Sequence, residues 1–141
     1  MFALDTNALS ELLKGSPKFV ARFEAVPEET PVVTTTVTRY EILMKGRYQA
    51  LLTAADRDQL LLAAERLTTD ETRLSAFDIL QVTDATADHF EKLLGAKGLK
   101  KIGRSDLLIA CIWLAHGATL VTRNTNDFKG VPNLKLANWA D

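Results

Sequence analysis

Cysteine is almost missing from this chain: Cys111 stands alone among 141 residues. No disulfide framework can form, so stability has to come from a buried core, and a reducing, cytoplasmic setting suits such a chain. Histidine is nearly as scarce. His89 and His116 do not pair with Cys111 at any zinc-like spacing, which argues against a structural zinc site. Neither forms part of a histidine pair suited to acid–base cleavage, and no serine or cysteine triad is legible, so nucleophilic side-chain catalysis drops out. Long apolar runs are missing too. The longest, LLIACIWLA (107–115), is far too short to cross a bilayer and reads as a buried helix. The first residues show no basic stretch followed by an apolar one, so a secretory leader is not expected. There is no surplus of positive charge either: 17 basic against 18 acidic residues leave a net charge of −1. A global electrostatic attraction to nucleic acid is thereby excluded. Repeats, low-complexity tracts and Ser/Gly linkers are lacking, and one domain over 1–141 is expected.

What is present is ordinary for a soluble globular protein, 47% hydrophobic and 25% charged. The order of elements is more telling. Residues 1–5 read as a strand, 7–14 as a helix ended by Gly15, and Pro17 opens a second helix to about Ala25. PVVTTT (31–36) has the β-branched density of a strand. Thr36 or Thr38 is expected to cap a helix through about Gly46, with Tyr48–Thr53 continuing helically. Residues 56–67 read as a helix capped by Asp56, 78–82 as a strand, and 86–97 as an amphipathic helix. Ser105 is expected to cap an apolar helix, 106–116, that stops at Gly117. ATLVT (118–122) and LKLAN (134–138) complete the strands. Strands alternating with helices, with continuous apolar runs, predict an α/β domain around a parallel sheet covered on both faces. Ligands of such folds gather beyond the carboxyl ends of the strands.

Four acids lie near those ends. Asp5 ends the first strand, Glu41 lies early in the helix after the second, Asp106 opens the apolar helix, and Asp127 follows ATLVT. Each has a plain reading: Asp5 a helix cap, Glu41 a surface glutamate, Asp106 a first-turn acid favoured by the helix dipole, Asp127 a turn former. Together at one sheet edge they need more. Two carboxylates about 6 Å apart repel by roughly 3 kcal/mol at an effective dielectric of ~20. A cation relieves this, and hard oxygen donors without thiolate or imidazole select Mg²⁺ or Mn²⁺. Asp5 and Asp106 are the expected ligands, with Asp127 and Glu41 further candidates. Such an ion would make a bound water acidic and stabilise charge on a scissile phosphate, while Glu41 orients that water or acts as base. Lys100, Lys101 and Arg104, just before Asp106, are candidates for contacts to flanking phosphates.

LDTN (4–7), TxxE within TVTRYE (36–41), SDLLIA (105–110), VTRNTNDF (121–128) and Trp139 resemble the PIN domain, and within it the VapC-type toxins of bacterial toxin–antitoxin pairs. The resemblance spans nearly the whole chain. It implies a five-stranded parallel sheet flanked by helices and a Mg²⁺- or Mn²⁺-dependent endoribonuclease, with RNA as substrate. Asp5, Glu41 and Asp106 match the family's acidic metal-site residues. At the fourth position many members carry an acid directly after the TR dipeptide. This chain has Asn124 there and an acid three residues later, Asp127, so either residue is a candidate for the metal or its water. Thr6 and Ser105 supply hydroxyls beside the acids. The family also implies a homodimer and a small antitoxin whose tail enters the acidic groove. Rival readings are a PIN-fold protein acting on DNA or structured nucleic acid, and a partner-binding module with little turnover. A receiver-like signalling domain is disfavoured, because Arg123 stands where a lysine is expected.

Overall fold

Phe2–Leu4 forms β1 at the centre of a five-stranded, wholly parallel sheet of order β3-β2-β1-β4-β5. The other strands are β2 (Val32–Thr35), β3 (Asp78–Leu80), β4 (Thr119–Val121) and β5 (Lys135–Ala137). The computed structural model describes residues 1–96, 98–99 and 101–140. The parallel α/β architecture expected from the element order is what the chain adopts.

Both faces of the sheet are covered. Ala3, Val33 and Leu120 pack into one apolar cluster, with α6 (Asp84–Leu94) and α7 (Arg104–His116) above them. Leu4 and Val121 point the other way, into a cluster completed by α1 (Thr6–Leu13), α2 (Pro17–Glu24) and α5 (Arg57–Leu74). Neighbouring strand residues face opposite sides, so a strand buried on both faces must be apolar at each position. That is why its runs are continuous. α7 buries Leu107 and Ile109 through Trp113, and stops where Gly117 takes a left-handed φ of 65°.

Several boundaries differ from the sequence reading. The cap of α3 (Thr36–Tyr40) is Thr35, not Thr36 or Thr38, and its hydroxyl accepts from the Thr38 amide at 3.0 Å. The strand hands over one residue earlier because Thr35 keeps extended angles. Beyond α3 the chain winds as a π-helix over Glu41–Tyr48 before a last α turn, α4 (Gln49–Leu52). Asp56 caps α5 as expected, but that helix runs to Leu74, since Leu67 and Leu74 still face the core. α6 spans Asp84–Leu94, started by a Thr83–Thr86 capping box and ended at Gly95. The residue capping α7 is Gly103, so Ser105 lies inside the first turn and does not cap it. A short helix, α8 (Thr125–Phe128), follows β4 and was not expected.

From β1 the chain moves outward through β2 to β3, then lands on the other side of β1 with β4. The crossing direction therefore reverses between β1 and β4. Helices diverge from the sheet at such a point and leave a crevice beyond the strand ends.

Candidate active site

Asp5 is the first residue past β1 and is only 3% exposed. It is also the cap of α1: its Oδ1 accepts from the Ala8 amide at 2.8 Å. The Asn7 amide and the Thr122 hydroxyl donate to the same carboxylate. The plain reading of Asp5, a helix cap, is therefore realised. Burial nevertheless pushes the Asp5 carboxyl above its usual range, and the charge of Glu41 adds to that. The donors around it lower the cost of burial without cancelling it.

Thr122 is a residue that sequence reasoning missed. Leu4 pairs with Val121, so the next residues, Asp5 and Thr122, lie side by side across the crevice. The Thr122 hydroxyl also accepts from the Asn124 amide at 2.9 Å, tying the exit of β4 to the same point. A hydroxyl at the end of a strand was the available signal, but only the register gives it meaning.

Glu41 is set by threonines. Thr6, the first residue of α1, donates from Oγ1 to Glu41 Oε1 at 2.7 Å. Thr38 lies 3.5 Å from Thr6 and 3.2 Å from Thr35, so three hydroxyls run from the end of β2 toward Glu41. Thr35 and Thr38 are fully buried. Glu41 is also the first residue of the π-helical stretch, a winding that occurs often at functional sites. Thr6 thus contacts one of the four acids directly, and Thr35 and Thr38 extend the row of hydroxyls.

Asp106 sits in the first turn of α7, where the helix dipole favours negative charge. Its carboxyl is nonetheless pushed up to about 6, by burial first and then by the charges of Asp5, Glu41 and Asp127. Three of the sequence-predicted acids therefore act on the fourth, and the structure brings all four together at the carboxyl end of the sheet. Asp127, in α8, is exposed, with its amide bonded to the Asn124 carbonyl at 3.0 Å. Asn124 is exposed as well and meets the site through its backbone.

Among the described residues, no three acid, histidine or cysteine side chains close on one point at direct-ligand spacing. The donors are carboxylates and hydroxyls, which fit a hard divalent ion. Mg²⁺ commonly takes one or two carboxylates and keeps several waters, so an open acidic set of this kind suits it. Of the basic candidates, Lys101 is exposed, while the Arg104 guanidinium lies 5.3 Å from the centre of the Phe90 ring. Lys100 lies outside the described residues. A groove leads from Thr6 and Glu41 past Lys14 to Arg47, which pairs with the buried Asp70 at 2.5 Å.

The PIN domain family model matches residues 2–134. The chain belongs to the PIN-domain family. Ribonuclease VapC1 of Haemophilus influenzae (strain R2866) is 31% identical over 146 residues, covering 99% of this chain and 98% of that protein. Among solved structures, VapBC-1 from nontypeable Haemophilus influenzae superposes with a TM-score of 0.76 at 26% identity, over 99% of this chain and 98% of that one. VapBC2 from Rickettsia felis, bound to a DNA fragment from its promoter, gives a TM-score of 0.79 over 98% of each chain. At 24% identity it bears on the fold alone. Both similarities extend across the whole PIN fold, including the strand ends that carry the acids.

Proposed function

We propose that this chain is a metal-dependent endoribonuclease that serves as the toxin of a toxin–antitoxin pair. The observation carrying the reading is the gathering of Asp5, Glu41 and Asp127 around Asp106, whose carboxyl is pushed up to about 6 by burial first and then by those three charges. Relatives named as VapC ribonucleases and neighbours solved as VapBC complexes support the substrate and the kind of partner.

Asp5 and Asp106 would hold a Mg²⁺ or Mn²⁺ ion, with Asp127 reaching it directly or through water. When bound, the ion supplies Lewis acidity toward the scissile phosphate and makes a nearby water more acidic. Asp5 cannot swing away, because amides at the start of α1 and the Thr122 hydroxyl fix it. Glu41 spends Oε1 on Thr6, which leaves Oε2 to orient the attacking water and take its proton. Above about pH 6 Asp106 is ionised and ready to bind a cation. Exposed Lys101, and Lys14 in the lining of the groove beside Glu41, would carry flanking phosphates of the RNA.

The antitoxin would place its tail in the acidic crevice and cover apolar surface nearby. Leu52, Leu60, Leu61 and Leu62 are exposed on α4 and α5 and offer such surface, to an antitoxin or to a second copy of the chain in a homodimer. The test is purified protein incubated with total RNA, with Mn²⁺ or with EDTA, followed by mapping of the ends. Cleavage is expected only with metal, leaving 5′-phosphate and 3′-hydroxyl ends. Activity in excess EDTA, or 2′,3′-cyclic phosphate products, would overturn the mechanism.

A further inference from the structure

The π-helical stretch that opens with Glu41 closes with two anchored side chains. Arg47 donates from Nε to Asp70 on α5 at 2.5 Å, and the Tyr48 hydroxyl donates to Glu71 at 3.1 Å. Thr6 fixes Glu41 at the other end, so the acid and the guanidinium ride on one segment held at both ends. The anchor is a buried carboxylate: the Asp70 side chain is 8% exposed, against 31% for Arg47. That bond uses only Nε. Among the described residues, neither Nη1 nor Nη2 of Arg47 has a hydrogen-bond partner, so the rest of its planar fork of N–H donors is unused. An arginine already held at Nε loses less freedom on meeting an anion than a free side chain does. The same side chain lies where two hollows join. One, of about 230 Å³, contains Thr6, Glu41 and Lys14; the next, of about 320 Å³, runs along α5 past Arg66 and Arg73. Beyond Glu41 their charged lining is Lys14, Arg47, Arg66 and Arg73, against Glu65 and the already paired Asp70.

We propose that Arg47 binds a backbone phosphate of the RNA flanking the one that is cut, and that Asp70 is its positioning residue. The inference rests on the ribonuclease reading and adds the path of the strand, from Glu41 along the groove toward α5. A planar fork suits two phosphate oxygens at once, and contacts of this kind carry no base information. Arg47 therefore contributes affinity and register at Glu41, whatever the sequence bound.

Arg47→Ala alone would strand the buried charge of Asp70, so the test pairs Arg47→Gln with Asp70→Asn. The two amides can bond to each other, and the net charge of the groove is unchanged. With the EDTA-treated full chain and fluorescein-labelled polyuridylate, this double variant is expected to bind about tenfold more weakly, with a log–log salt slope lower by about 0.7. In Mn²⁺, with an RNA oligonucleotide carrying a mapped cut site, KM should rise about tenfold while kcat stays near that of the parent. A pair that served only the fold would leave the salt slope as it was. Arg47→Lys keeps the charge and a partner for Asp70 but loses the fork, so it should keep the slope and bind severalfold more weakly. A double variant with the slope and KM of the parent would overturn the proposal, and so would a lysine that binds as tightly as the arginine. A parent chain that cuts no RNA in Mn²⁺ would instead overturn the ribonuclease reading, and this inference with it.

Discussion

Asp5 and Asp127 each follow one of the two strands flanking the crevice, and the fold holds them in opposite ways. After β1 the handover is immediate: Leu4 ends the strand, Asp5 caps α1, and the carboxylate is buried under two amides and a hydroxyl. After β4 the chain passes through Thr122, Arg123 and Asn124 into a helix of four residues whose cap makes no side-chain bond. Asp127 is exposed there. The first acid is preorganised at the cost of burying a charge. The second is placed by a short turn, costs little, and is free to adjust to a ligand. On the proposed function, in which the site would bind a cation and then a phosphate, one acid of each kind is an advantage.

Breaking the rigid side should have the largest effect. Asp5→Ala is expected to lower cleavage by at least about 10²-fold, the scale of losing one preorganised charge in an active site. It should also destabilise the fold by about 0.5–2 kcal/mol through loss of the α1 cap. Asp5→Asn, which still accepts the Ala8 amide, should lose cleavage and keep most of the stability. Urea melts of both variants separate the cap from the catalytic role.

Asp106→Asn comes next, and its effects on activity and stability point in opposite directions. Cleavage should vanish, while the metal-free protein at pH 7 becomes more stable by about 1–2 kcal/mol, after discounting for solvent around a half-buried carboxyl. The folded-state value near 6 stands above the unfolded value of 3.8, so the fold binds this proton more tightly. Metal-free wild type should therefore gain stability as pH falls from 7 toward about 4, and Asp106→Asn should show a smaller gain. Added Mg²⁺ or Mn²⁺ should raise the melting temperature of wild type more than that of the variant. A wild type unmoved by either ion would remove the cation account of the acids.

The flexible side is sharpened by comparing Asp127→Ala with Asn124→Ala. Asp127→Ala should cost roughly tenfold or more in cleavage and change metal-free stability by no more than about 0.5 kcal/mol, as for an exposed side chain. Asn124→Ala should do less, since Asn124 meets Thr122 through its backbone amide. The reverse order would make Asn124 the residue that touches the ion or its water.

The smallest effect is expected at Thr6. Thr6→Val removes the donor to Glu41 and should lower kcat about tenfold, the worth of one hydrogen bond to a charged group, with KM little changed. Thr6→Ser should restore it. Loss without rescue would mean that the methyl group, rather than the hydroxyl, positions Glu41.

Much of this was legible beforehand. The β-branched run PVVTTT marked β2, Gly15 and Gly117 marked helix ends, and Asp56 marked the start of α5. The four acids stood out because each lies near a point where a strand hands over to a helix, or on the first turns of a helix packed on the sheet. Other features left no trace in local pattern. The π winding over Glu41–Tyr48 carries the residue types of an ordinary helix, and the α7 cap is a glycine where Ser105 is the better local candidate. Both are choices of backbone path that packing makes after the helices form.

By itself, then, the sequence determined the alternation of elements, the two-sided burial of the strands and the identity of the acids, because periodicity and charge are properties of neighbours along the chain. Tertiary structure decided the rest. Only the order β3-β2-β1-β4-β5 puts the crevice between β1 and β4, and only the Leu4–Val121 register sets Thr122 beside Asp5. The raised Asp106 carboxyl and the hydroxyl path from Thr35 to Glu41 likewise arise from groups far apart in the chain. Burial and charge act through space, and strand pairing is what converts sequence distance into a few ångströms.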